Sequence, residues 1–439
     1  MIKQYIFAFF LLVTLGIFTY TTTRIVRFFL LTKPAFPVRN MAKRFRVMLG
    51  IAFGQTRILR KPLMGPLHAL VFWGFCVILL GSFEMVIDGL FGIDRVLHVL
   101  GGFYNVMIAS GDIFALVIGI AILVFLGRRF LLHVKRFEGI EMKAISHIDA
   151  KIALLMILFL MISLQGMNIA YCGIKTLAHG NIAGVYPVSK LFLKMLSLTT
   201  EPTYRFWYEF CWWSHILTIF VFANYLPYSK HFHVFMSVPN VFLSRLDPLG
   251  KLPNMDNVTR EVRLMLDPGM AFTTPETIAP VERFGIKDAE DITWKNYLDS
   301  LACTECGRCT AVCPANLTGK RLSPRKIIMD ARARMKEKGP GLVKHGNNYD
   351  DHKSLIRDYI TEEELWACTT CNACSRECPI SINHPALIVD MRRYLVMEEG
   401  SVPGLLKTTF SNIENNGAPW QYSPEDRLLW AKDLEIRTT

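Results

Sequence analysis

Residues 303–314 read CTECGRCTAVCP and residues 368–379 read CTTCNACSRECP. Both follow one spacing, CxxCxxCxxxCP, so the chain carries an internal repeat. Three closely spaced thiolates can wrap three corners of a compact cluster, the fourth reaches a second cluster, and the proline re-aims the chain. This is the arrangement of ferredoxins with two [4Fe–4S] clusters. Crossed ligation predicts that Cys303, Cys306 and Cys309 share one cluster with Cys378, and that Cys368, Cys371 and Cys374 share the other with Cys313. Zinc is the competing reading, but it takes four ligands at a time and has no use for a CP-ended quartet written twice. The total of 11 cysteines is odd, which argues against a complete secreted disulfide framework. The remaining Cys76, Cys172 and Cys211 lie in or beside apolar runs and read as packing residues.

Around the repeat, LSPRKIIMDARARMKEKG (322–339) and EEELWACTTC (362–371) read as helices, so the Cys-rich part is an α-helical ferredoxin domain. Lys320, Arg321, Arg325 and Lys326 form either a docking patch for an acidic donor or a solvated face. Upstream, residues 234–300 are punctuated by Pro239, Pro248, Pro253, Pro268, Pro275 and Pro280, a connector without long regular structure. No glycine-rich dinucleotide fingerprint, P-loop or nucleophile motif is present, which leaves one-electron transfer as the chemistry.

The N-terminal half is of another kind. Of 439 residues, 51% are hydrophobic and only 20% charged, with a mean hydropathy of +0.29. Five apolar stretches are long enough to cross a bilayer: Tyr5–Leu31, Leu67–Leu90, Phe103–Leu126, Ala150–Tyr171 and Tyr208–Tyr228. The first is too long, and lacks the cleavage site, to be a signal peptide. Residues 32–67 contain eight Lys or Arg and no acidic residue. The loop after the third span is basic as well, so the positive-inside rule puts both loops and the C-terminal domain in the cytoplasm and the N-terminus outside. The net charge of +12 is then explained by topology and lipid headgroups rather than by nucleic acid. The expected fold is all-α: a five-helix transmembrane bundle over 1–233, a connector over 234–295, the two-cluster domain over 296–400, and a tail over 401–439 for partner docking.

Polar residues inside spans are costly and mark candidate sites. His215 and His233 are 18 residues apart, five turns of one continuous helix, which puts both imidazoles on one face about 27 Å apart. His231 then points to nearly the opposite face, unless Pro227 kinks the helix. His68, at the cytoplasmic start of the second span, lies at the depth of His233, and two imidazoles at one level can clamp a haem b iron. The competing reading makes each an interfacial histidine. His215 lacks an evident partner, which His98 or a methionine could supply. His147 reads as a headgroup contact. Glu84, Asp112, Gln165 and Asn168 gather with His215 toward the outer half, as a quinone pocket with a proton path or as a polar packing seam.

The stretches DITWKNYLDSLACTECGRCTAVCPANLTGKRLSP, LWACTTCNACSRECP, VDMRRYLVMEEG and NIENNGAPW resemble membrane-bound iron–sulfur oxidoreductases related to heterodisulfide reductase and to bacterial electron-transfer flavoprotein:menaquinone oxidoreductase. The five-span half is similar to the cytochrome b subunit of respiratory nitrate reductase, a family with haem-ligating histidines on its second and fifth spans. By that resemblance His215 and His233 are the fifth-span pair and His68 the cytoplasmic ligand of the second. The second histidine of that span is absent, which leaves one or two haems open. Full-length relatives continue into CCG repeats, so the resemblance implies a separate CCG-domain partner docking on Trp420, Trp430 and Leu434 of the tail. The expected function is that of a respiratory-chain component passing electrons from electron-transfer flavoprotein or the CCG-type partner through two [4Fe–4S] clusters and haem b to menaquinone. The alternatives are the reverse flow, from quinol to a cytoplasmic disulfide with catalysis in a partner, and a redox sensor or scaffold.

Overall fold

Long runs of Leu, Ile, Phe and Val satisfy their backbone polar groups in lipid by forming helices. In the computed structural model, which describes all residues except 197–199, 268, 270–282, 347–348, 433 and 435–439, every regular element among the described residues is helical. The N-terminal half comprises α1 (Ile2–Leu30), a short basic α2 (Met41–Met48), α3 (Met64–Phe91), α4 (Gly102–Phe130), α5 (Ala144–Leu177), α6 (Pro187–Leu196), α7 (Glu201–Tyr225) and α8 (His233–Phe242). Of these, α1, α3, α4 and α5 are long and apolar enough to cross a membrane. The stretch expected as a fifth span lies in the helix α7, which is not among those four: its first turns carry Glu201, Arg205 and Glu209, and it stops at Tyr225 because Pro227 cannot continue it. Helix α5 packs between α4 and α7, α3 lies on α4, and α1 closes the bundle against α3 and α7. Close approach of α3 to α4 needs Gly74, where a Cβ would stand 2.7 Å from the Phe114 ring.

The C-terminal half contains α9 (Asp256–Leu266), α10 (Trp294–Ala302), α11 (Arg308–Ala311), α12 (Pro314–Leu317), α13 (Pro324–His345), α14 (Glu362–Trp366), α15 (Ala373–Glu377), α16 (His384–Met397) and α17 (Gly404–Asn416). Side chains set the starts: Ser323 caps α13 ahead of Pro324, Thr361 and Glu364 form a capping box on α14, and Asn383 caps α16. The core joins Ile327, Met335, Leu387 and Met391 to Phe28, which α1 inserts from the membrane half. It reaches back to Ile286 and Ile292, and Arg334, fully buried, pairs with Asp288 at 2.6 Å and with Asp351 at 2.6 Å.

This domain sits on one end of the bundle. Lys33 and its neighbours exchange backbone hydrogen bonds of 2.9 Å with Ile292 and Trp294, Arg57 donates to the Cys378 carbonyl at 2.8 Å, and Lys61 pairs with Glu377 at 3.0 Å. The basic loops and the Cys-rich domain therefore share one end, while Lys3 and Glu209 meet at the other.

The connector holds two short helices, α8 through Pro239 and α9 after it; Pro268, Pro275 and Pro280 lie outside the described residues. One expectation is corrected here: Arg325 and Lys326 do not belong to a surface patch. Arg325 is buried, 2.7 Å from Glu141 of the α4–α5 loop, and Lys326 pairs with Asp330 and Glu364. Arg325 ties the halves together, and Lys326 is neutralised within the Cys-rich half, instead of presenting charge.

Candidate functional site

The repeat extends from spacing into backbone conformation. Glu305 and Thr370, each directly before the second cysteine of its motif, have φ of +56° and +54°. Gly307 and Asn372, each directly after it, have φ of +71° and +60°. Left-handed residues at matched places curl both loops the same way, and a short helix, α11 or α15, then delivers the third cysteine. Gly307 is required twice over: its φ is positive, and a Cβ there would lie 2.2 Å from the Arg136 carbonyl oxygen. Each loop is clamped by an arginine, Arg332 donating to the carbonyls of Ser300 and Cys303 and Arg392 to those of Leu365 and Cys368.

The thiols gather across the repeats. Cys309 is pushed well above the ordinary thiol range by burial and then by Cys306, Cys303 and Cys378. Burial, with Cys306 and Cys303 beside it, pushes Cys378 up to about 12, and burial with Cys368 and Cys313 does the same to Cys374. Cys313, Cys368, Cys371 and Cys374 line one small cavity together with Pro314, Pro385 and Ile388. Cys378 thus lies with the first loop and Cys313 with the second. Packed thiols that repel one another as thiolates suit a cationic iron core, and two sulfurs already accept backbone N–H groups, Cys368 from Thr370 at 3.4 Å and Cys378 from Ile382 at 3.5 Å. The donor set fits two [4Fe–4S] clusters.

Beside the first loop, the structure brings His68 and His233 together with ring centroids 6.5 Å apart and planes inclined by 31°. A metal–imidazole bond of about 2 Å on either side of one ion, with the ring radii added, gives centroids about 6 Å apart. His233 Nδ1 lies 3.2 Å from the Lys230 carbonyl, which fixes the ring with its other nitrogen free, and the buried Nδ1 of His68 has no partner among the described residues. These imidazoles fit an iron clamped from both sides. The route by which sequence pairs them is wrong in one respect. α7 ends at Tyr225, so His215 and His233 do not share a continuous helix; a turn through Pro227 re-aims the chain before α8. The same turn overturns the placement of His231 on the opposite face, since its ring lies 5.9 Å from that of His233.

A buried network joins the Cys loop to this pair. Glu305 accepts from Arg332 and from Ser146, and lies 3.5 Å from Lys230 Nζ. Lys230 Nζ also donates to Ser146 Oγ at 2.7 Å, and the Lys230 carbonyl faces His233. Burial alone would raise the Glu305 carboxyl; Arg332 and Lys230 outweigh it and hold it below its ordinary value. Sequence reasoning singled out neither Glu305 nor Lys230. The only local signal was an acid inside a Cys motif, and its partners come from elements remote in sequence.

At the far end of the bundle, Glu84, Asp88, Arg95, Asp112, Asn168 and His215 line one cavity. Asp112 accepts from the backbone N–H of Val188 at 2.8 Å and of Ser189 at 3.0 Å, so it caps α6. Gln165 reaches Asp112 at 3.1 Å. Glu84 accepts from Leu97 N–H at 3.0 Å and from the Tyr104 hydroxyl at 3.3 Å. His215 Nδ1 lies 3.0 Å from the Leu160 carbonyl. Among the described residues no second histidine lines this cavity: His98 bonds the Arg95 carbonyl instead, whereas Met85, Met107 and Met167 do line it. Of the three cysteines outside the motifs, Cys172 and Cys211 are buried in the bundle and Cys76 is exposed on it. In the tail, Trp420, Trp430 and Leu434 are exposed.

Comparison with known proteins agrees with the Cys-rich geometry. Residues 302–382 match the 4Fe-4S dicluster domain. The chain is 31% identical over 421 residues to a probable iron-sulfur-binding oxidoreductase, FadF, of Bacillus subtilis, covering 88% of this chain and 55% of the relative. It is 29% identical over 426 residues to an EtfAB:quinone oxidoreductase of Syntrophomonas wolfei, covering 91% and 55% respectively. Over 107 residues it is 35% identical to one component of a ferredoxin/F(420)H(2)-dependent CoB-CoM heterodisulfide reductase of Methanosarcina acetivorans, covering 24% of this chain and 52% of the relative. The chain thus spans about half the length of these relatives. No solved structure matches. The chain is a homologue of iron–sulfur oxidoreductases, with a two-cluster 4Fe–4S domain joined to apolar, membrane-capable helices.

Proposed function

We propose that the chain is the membrane electron-transfer part of a quinone-linked oxidoreductase, taking electrons from a cytoplasmic electron-transfer flavoprotein or CCG-type iron–sulfur partner and delivering them to menaquinone. The observation that carries this reading is the facing pair His68–His233 beside the first Cys loop, a ligand pair in the membrane half next to ligands of the soluble half. The name of the Syntrophomonas relative, which couples EtfAB to quinone, supports the two ends of the path.

When bound, the two clusters and a b-type haem supply one-electron redox capacity. The residues of the chain do the rest. Cys303, Cys306, Cys309 and Cys378 hold one cluster, and Cys368, Cys371, Cys374 and Cys313 the other. His68 and His233 hold the haem, with the Lys230 carbonyl orienting His233. Glu305, Ser146 and Lys230 keep the first Cys loop in register with that pair. The far cavity, lined by Glu84, Asp112 and His215, receives the quinone headgroup. Glu84 holds the exchangeable proton, and Asp112 builds the wall by capping α6. The basic loops face the cytoplasm with the Cys-rich domain, the N-terminus lies outside, and α7 is the fifth crossing.

Run in reverse, the same parts carry electrons from quinol to a cytoplasmic disulfide, a direction that the match to a heterodisulfide reductase component favours. The test is anaerobic mixing of the full chain, in lipid nanodiscs, with reduced electron-transfer flavoprotein and menaquinone. Quinol formation that depends on the chain is expected. No quinol from protein with both clusters and haem loaded would overturn the reading.

A further inference from the structure

Where the Cys-rich domain meets the bundle, guanidinium groups crowd together, and the carboxylate that acts on them, Asp149 on Arg129, forms no ion pair with any of them. Arg128, Arg129 and Arg136 stand 5.1, 4.8 and 5.3 Å from the centre of a single ring, Phe137. Arg308 joins them: Gly307 packs directly on the Arg136 backbone, and Arg136 is pushed below its ordinary value by burial and then by Arg128, with Arg308 and Arg129 adding. All four are half-buried. Among the described residues none of them forms an ion pair, and the buried Nε of Arg136 has no hydrogen-bond partner. Half-buried like charges without counterions are costly, and natural proteins keep them where an anion completes the site.

The placement says which anion. Arg308 is near enough to His68 to act on it electrostatically. Gly74 of α3 faces Phe114 and Ile118 of α4, and the two helices are antiparallel neighbours. Counting from that contact at about 1.5 Å per residue, Arg128 lies roughly 6–12 Å beyond the level of His68, toward the Cys-rich domain. An anion held there is within reach of a group that starts at His68 and extends outward.

We infer that Arg128, Arg136 and Arg308, with Arg129 beside them, form a cradle for the two propionate carboxylates of the haem held by His68 and His233. This rests on the haem reading above. It adds that the soluble domain contributes a residue, Arg308 of the first Cys motif, to cofactor binding in the membrane half, so both halves are needed to bind the haem tightly.

The test uses the full chain, depleted of haem in detergent and titrated separately with haemin and with haemin dimethyl ester, which lacks the carboxylate charges. The wild-type protein is expected to prefer haemin by about tenfold or more, the scale of one or two charge-assisted hydrogen bonds. R128Q and R308Q should lose most of that preference, and R308K should keep more of it than R308Q. Iron and sulfide content reports whether each variant has folded; if R136Q fails, R136K replaces it. Equal affinity for both haemins in the wild type overturns the cradle. So does an unchanged preference in both glutamine variants, whether the arginines then prove to hold a phospholipid phosphate or to offset cluster charge. Failure of either haemin to bind with an imidazole-ligated spectrum is a different result, and refutes the haem reading itself.

Discussion

In the Cys-rich domain, eight thiols come from two twelve-residue stretches that repeat one another; in the membrane half, two imidazoles meet from α3 and from the start of α8, with most of the bundle between them in sequence. The first arrangement is local. Left-handed residues at matched positions curl each loop, an arginine clamps it, and only one thiol per cluster has to arrive from the other repeat. The second depends on helix packing and on a turn at Pro227. Local sites tolerate change elsewhere in the molecule, whereas assembled sites fail when the scaffold shifts.

That contrast can be tested by breaking each side. The largest expected effect is at Cys378, the thiol that crosses over: C378S should lower bound iron from about eight atoms per chain to about four. Iron and sulfide analysis checks this, and unchanged iron would refute Cys378 as a cluster ligand. A second change addresses the scaffold. Arg334 is fully buried between Asp288 and Asp351, so R334M takes the guanidinium from Asp351 and leaves the buried Asp288 with Lys338 alone. It should destabilise the Cys-rich domain by about 3–5 kcal/mol, measured as a lower denaturant midpoint for loss of the cluster absorbance.

On the membrane side, E84Q should slow quinone reduction about tenfold or more while cluster and haem reduction by the donor keep their rates. Equal slowing of every step would mean that Glu84 is only a packing residue. The smallest effect concerns acid. Arg334 holds Asp351 down to about 2, so the stability contributed by this pair is complete above the unfolded carboxylate value of about 4 and is lost as the pH falls toward 2. In D351N that part of the acid dependence should be missing from a pH series of denaturation midpoints.

How much was legible in the sequence follows the same division. The two-cluster domain could be read because a spacing written twice is itself the signature of that domain. The apolar helices could be read because lipid leaves the backbone few choices. His68 and His233 could be picked by type and depth, but their meeting could not be derived from helix periodicity, since Pro227 interrupts the helix that the counting assumed and brings His231 alongside as well. Arg325 looked like surface charge because its partner, Glu141, comes from a loop of the other half. Glu305 and Lys230 were invisible for the same reason: each is explained only by a contact across the domain boundary. Asp112 shows the opposite case, a polar residue in a span whose hydrogen bonds serve the end of a neighbouring helix.

The most direct test of the central claim is a dithionite-reduced minus oxidised spectrum of the purified full chain, with pyridine haemochrome quantification, on the wild type, H68A and H233A. The account predicts a b-type haem in the wild type that is lost in both variants while iron and sulfide stay at the two-cluster level. Wild-type protein with both clusters and no haem, or a full haem spectrum in either variant, would contradict it.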